Sequence, residues 1–146
     1  DIQMNKLTLL VLSGGLFFTA LAAHAEAPGK AIDQKLQACS QKAVSTVDSE
    51  TCLQQGYAEW DKELNTQYQA LLKDQPAEVK KAIVQSQRDW LTYQKSYFSA
   101  LDNFYRQQQG TIWGMVDVQA KLDFIRQKAI ELHTLKVSTD MSGEQG

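Results

Sequence analysis

Histidine is almost missing from these 146 residues: only His24 and His133 occur. A Ser-His-Asp or Cys-His catalytic arrangement would therefore have at most two bases to choose from. Cysteine is equally scarce, with Cys39 and Cys52 alone, so no cysteine-rich metal cage can form. Basic charge is not in excess either. The chain has 15 Lys and Arg against 17 Asp and Glu, a net charge of −2, and no basic stretch or basic helix face of the kind that nucleic acid or an anionic membrane requires. The longest apolar run, Leu7 to Leu21, falls short of the ~20 residues needed to cross hydrocarbon, and Gly14-Gly15 weakens it further as a helix.

That short run is a positive signal of a different kind. Met4, Asn5 and Lys6 form a start with a basic n-region, the apolar stretch follows, and Ala23-His24-Ala25 places small residues where signal peptidase reads them. A secretory signal peptide is expected over 4–25, with Asp1-Ile2-Gln3 set aside and the exported chain starting at Glu26; an uncleaved anchor is the competing reading. Lys6 and Asp1 are the only charges before Glu26, so the balance after cleavage is 14 basic against 16 acidic residues. Export to the periplasm or beyond takes His24 away and makes a Cys39–Cys52 disulfide the simplest use of an even cysteine pair. No cysteine directly follows the cleavage site, so a lipid anchor has no attachment point, and no membrane association is expected after cleavage.

The remainder is long enough for one domain. Four segments carry helical periodicity and none shows the period-two pattern of a strand, so the class is all-α. Ala31 to Val44 is short and weakly amphipathic. The polar turn Ser45 to Ser49 separates it from a helix over Glu50 to Lys73, with Leu53, Tyr57, Trp60, Leu64, Tyr68 and Leu71 as its stripe. Pro76 opens a long helix to about Gln108, which carries Val79, Ile83, Trp90, Tyr97, Leu101 and Phe104. Gly110-Thr111 marks the next boundary, Gly in the left-handed conformation and Thr as a cap, before the seam Met115, Val118, Leu122, Ile125, Ala129 and Leu132. Short connections imply an antiparallel up-down bundle of three main helices plus a disulfide-tethered first helix, spanning 31–136. The polar stretch 137–146 is expected to be disordered.

No catalytic, cofactor or metal site stands out. Glu59 with Glu63, and Asp117 with Lys121, have the spacing of ordinary solvated helix faces. Asp61 and Asp89 on adjacent helices could serve as paired carboxylates, but pairing with Arg88, Lys62 or a helix-end donor is the favoured account. Trp60, Trp90 and Trp113 are expected in the core rather than around a ligand. Asn65, beside the stripe residue Leu64, is expected to bond across helices, to Tyr93 or to the Gly110-Thr111 turn.

Two early cysteines, then Asp61-x-x-Leu64-Asn65-x-x-Tyr68-x-x-Leu71, then Gln87-x-x-Trp90-x-x-Tyr93, then Gly110-Thr111 and a last helix carrying Arg126 and Leu132, resemble the LprI-like family, named for a lysozyme inhibitor. The match spans about Cys39 to Leu135. The resemblance implies a small exported helical protein of the bacterial envelope, with these motif residues serving structure more than chemistry. It also implies a lysozyme or other cell-wall hydrolase as partner. Many members carry a second cysteine pair; Tyr97-Phe98 and Val118 to Leu122 contain none here. The expected function is a non-enzymatic periplasmic inhibitor of lysozyme-type hydrolases, with a non-inhibitory envelope or immunity module as the alternative. Contact surfaces for such a partner would be the Gln107-Gln108-Gln109-Gly110 turn or the loop Ser45 to Ser49 at the bundle ends.

Overall fold

A computed structural model describes residues 27–140; the expected leader over 4–25 and residues 141–146 lie outside them. Four helices and no strand occur among the described residues: α1 (Lys30–Lys42), α2 (Thr46–Leu72), α3 (Ala77–Arg106) and α4 (Ile112–Val137). No described helix is long and apolar enough to cross a membrane.

Several helix boundaries differ from the sequence reading. Helix α2 starts at Thr46 rather than Glu50, because Ser45 to Ser49 is a cap and first turn instead of a loop. Ser45 Oγ accepts the Asp48 N–H at 3.1 Å, and Asp48 Oδ2 accepts the Val44 N–H at 3.2 Å, a reciprocal capping arrangement. Pro76 precedes α3 as its cap instead of being its first residue. The stretch expected to be disordered keeps Val137 inside α4, and the Ser138 N–H still donates to Thr134 O at 3.0 Å.

The packing order is the main departure from a regular bundle. Helices α2 and α4 form the principal pair and run parallel: Glu50 lies beside Gly114, the Trp60 ring beneath Arg126, and Gln67 beside His133. Between them sits a core of Leu53, Trp60, Leu64, Leu122, Ile125 and Ala129, with Trp60, Ile125 and Ala129 wholly enclosed. Helix α1 lies antiparallel on α2, bridged by Cys39–Cys52 with a Cα–Cα distance of 5.7 Å. Helix α3 lies antiparallel on the far side of α4, where Phe124 meets both Trp90 and Phe98, and it touches α2 only sparsely, as at Tyr57 with Phe98 (6.3 Å between ring centroids). As a result only Gln87 and Leu101 of its 30 residues are buried.

The entry to α1 is fixed from below. Gly29 has φ 78°, and a Cβ there would lie 2.1 Å from the Trp60 ring, so only glycine lets the chain pass over that indole. Asp33 then accepts the Trp60 indole N–H at 3.1 Å and is gripped by Arg126 of α4 at 2.8 and 3.2 Å. Arg126 in turn stands over the Trp60 ring at 5.2 Å.

Candidate functional site

The groups weighed for chemistry do not converge. His133 Nδ1 lies 3.2 Å from Gln67 Oε1, with no nucleophile in the arrangement, and no metal-holding group of His, Cys, Asp or Glu exists among the described residues. Asp89 accepts from Gln85 of its own helix at 3.0 Å, so neither a carboxylate pair with Asp61 nor the ion pairs proposed for either residue form among the described residues. Glu63 accepts from Gln67 at 2.8 Å, and Glu59 pairs with Lys35 of α1. The tryptophans are separate. Trp60 is core, Trp90 is half-buried and stacked on Phe124 at 5.2 Å, and Trp113 sits at the end of the bundle, stacked on Tyr105 at 6.0 Å and donating to Gln109 O at 2.9 Å.

The family-motif residues serve several different ends. Leu64 and Gln87 are buried, and Tyr68 packs at the edge of the core. Asn65 does not bond across helices. It is exposed, and its amide donates to Asp61 O of its own helix at 3.2 Å. Asp61 is likewise exposed. Tyr93 lies on the other flank of α3, stacked on Tyr97 at 5.8 Å. Gly110 has φ 112°, the positive value expected of it, but it lies four residues past α3, and Thr111 makes no side-chain cap for α4.

What the fold does assemble is an exposed aliphatic patch at one end of the bundle. Parallel α2 and α4 begin side by side, so the α1–α2 connection and the α3–α4 turn lie at the same end. Three exposed aliphatic residues crown it: Val44 at 93% of its free exposure, Val47 at 71%, and Ile112. Their supports are stiff. Val44 is fixed by its own N–H on Asp48, Val47 lies in the capped first turn of α2, and the disulfide ties that turn to α1 a few residues away. Bonds from Ser45 and from the Val44 N–H hold the Asp48 carboxyl below its ordinary 3.8, so it is charged at neutral pH.

Behind the α3–α4 turn, Asp102, Lys121 and Asp117 form a cluster, of which the sequence reading had assigned Asp117 and Lys121 to a solvated face. Lys121 bonds both carboxylates, at 2.9 Å to Asp117, and lies 5.7 Å from the Phe98 ring centroid. Its place between two helices, instead of on the surface, follows from the α3–α4 contact. Asp117 Oδ1 is buried with no hydrogen-bond partner, and burial, reinforced by Asp102 nearby, pushes the Asp117 carboxyl up from its ordinary value. Asp102, more exposed and bonded by Lys121, moves the other way. Asp102 and Asp117 rim an open polar hollow with Tyr105, Arg106, Gly110 and Trp113. One lysine shared by two acids ties α3 to α4 and leaves the cluster one acid in excess.

Comparison with known proteins gives one finding. No curated protein and no solved structure is matched, but the family model described as lysozyme inhibitor LprI matches residues 37–132, well over half of the chain. Those residues take in both cysteines, the α2 and α3 motifs and the core of α4, and the chain belongs to the LprI family.

Proposed function

We propose that this chain is an exported binding protein that inhibits a lysozyme-type cell-wall hydrolase, and that it does so with the loop end of the bundle. The observation that carries the reading is the family match over 37–132, a family of inhibitors with no catalytic role. The physical support is the apolar tip of Val44 and Val47. Small aliphatic side chains presented on a capped, disulfide-tied support lose little freedom on docking, which is the main cost that a rigid inhibitor avoids. The acidic side chains of Asp48 and Glu50 beside them match a basic enzyme surface and speed encounter.

The test is lysozyme turnover on cell-wall substrate with increasing amounts of the purified protein. Turnover should fall as the protein is added and saturate at complete occupancy. Undiminished turnover at a large molar excess over several lysozyme types would end the reading.

A further inference from the structure

At the end of the bundle away from Val44 and Val47, where α2 finishes at Leu72, α3 begins at Ala77 and α4 finishes at Val137, the three helices leave a groove between them. Its volume is about 640 Å³, and Leu71, Ile83, Leu132 and Leu135 make its apolar walls. That is the size of a small-molecule site, for which ~300–1,000 Å³ is usual.

One residue breaks the apolar lining. Gln87 follows Ile83 by four positions and precedes Trp90 by three, so it stands on the inward stripe of α3 where an apolar side chain would ordinarily pack. It is only 7% exposed, yet its amide has no hydrogen-bond partner among the described residues. Neither amide atom is sealed away as Asp117 Oδ1 is, so the little exposure it keeps opens into the groove that Gln87 lines. A buried amide left without a protein partner is costly to the fold, and water in an apolar groove is a poor substitute.

Lys128 lines the same groove. Its ammonium lies 5.8 Å from the ring centroid of Trp90, one turn of α3 from Gln87, and its side chain is 14% exposed. The ion-pair partner Glu131 stands at 3.5 Å, too long for a good hydrogen bond, and is 64% exposed. The lysine charge therefore acts from a drier place than the glutamate charge, which water screens. Along the groove the field favours an anion.

From these observations we infer that the groove binds a fatty acid, its carboxylate accepting from the Gln87 amide and from Lys128, its chain lying along the apolar walls. Head and chain fall in order: along α4 the lining runs from Lys128 through Leu132 to Leu135, about 10 Å at 1.5 Å per residue. A cationic head would be repelled by Lys128, and a neutral one would leave its charge unanswered. The carboxylate gives Gln87 the partner that the fold withholds, through charge-assisted bonds stronger than those to water. Because the groove and the Val44–Val47 tip are at opposite ends, fatty-acid binding is independent of inhibition.

Isothermal titration calorimetry tests this with the protein expressed from its full sequence, titrated below micelle formation with dodecanoate and with dodecyltrimethylammonium, which pairs the same chain length with a cationic head. The variants are Gln87→Leu and Lys128→Met, each keeping apolar bulk while losing the polar group, with circular dichroism to confirm helix content. The parent should bind one dodecanoate at least tenfold more tightly than the cation. Each variant should weaken dodecanoate at least fivefold and leave the cation bound no more weakly than before. If Gln87→Leu loses helix content, Lys128→Met and the comparison of heads still decide. No binding of dodecanoate up to about 1 mM, equal affinity for the two amphiphiles, or dodecanoate binding that the folded variants leave unchanged would each overturn the inference.

Discussion

Replacing Arg126 by alanine should loosen α1 from the bundle without disturbing the α2–α4 core, and the cost can be assembled from its contacts. Arg126 grips Asp33 with two nitrogens at 2.8 and 3.2 Å and covers the Trp60 ring at 5.2 Å. Its side chain and that of Asp33 are each about two-fifths exposed, so solvent screens the ion pair and it contributes at most ~1 kcal/mol. The cation over the indole adds ~0.5–1 kcal/mol, since one face of the contact is dry. Asp33 keeps its bond from the Trp60 indole N–H, so no orphaned acceptor adds to the loss. The sum is about 0.5–2 kcal/mol, read as a lower urea midpoint at unchanged slope. A double-mutant cycle with Asp33→Ala separates the parts: the coupling energy should be about half of the Arg126→Ala loss and should shrink in 1 M salt, while the indole part persists. An Arg126→Ala loss under ~0.3 kcal/mol, or one that salt abolishes completely, would refute the assignment of Arg126 as the clasp on α1.

Three further outcomes follow from the same geometry. Reducing Cys39–Cys52, or changing both to serine, should lower stability by roughly 3 kcal/mol in the chain-entropy account, measured by denaturation with and without reductant. Trp60→Ala should cost about 3–5 kcal/mol, enough that a melting experiment finds the protein partly unfolded, because the indole is fully enclosed and holds both Gly29 and Asp33. Asp117→Asn tests the buried carboxylate. Because the folded pKa of Asp117 is raised, its contribution is fully present below the ordinary value of 3.8 and is lost as pH rises through the folded one; the asparagine variant should therefore gain on the parent as pH rises above the ordinary value, seen in paired urea titrations. A gap that widens in the parent's favour with rising pH would reverse that sign.

Legibility in the sequence divides along local and distant lines. The α4 seam Met115, Val118, Leu122, Ile125, Ala129 and Leu132 was readable because periodicity is a local property, and four of the six prove buried while Met115 and Val118 pack partly covered against them. The start of α2 was only roughly legible: taking Ser45 to Ser49 as a separating turn placed the helix four residues late, because Ser45 and Asp48 cap its first turn. The disulfide followed from an even cysteine count. Asp33 with Arg126, 93 positions apart, left no trace in any window, and neither did the Asp102–Lys121–Asp117 cluster, whose i,i+4 half looks like common surface patterning. Helix α3 shows why the bundle itself was only partly legible: a strong apolar stripe says that a helix has a face to cover, but not whether α2, α4 or another molecule covers it. The loop end was nominated from its position at the end of the scaffold, while its exposed pair Val44 and Val47 emerged only with the fold.

The most direct measurement of the central claim is an inhibition titration of lysozyme with the parent protein and with Val44→Asp/Val47→Asp. Both valines are exposed and outside the core, so the variant should match the parent in urea midpoint to within ~0.5 kcal/mol. The parent should suppress turnover, and the variant should need at least tenfold more protein to do so. Inhibition that is equal for both proteins would contradict the loop end as the contact surface, and turnover unaffected by either would contradict the inhibitor itself.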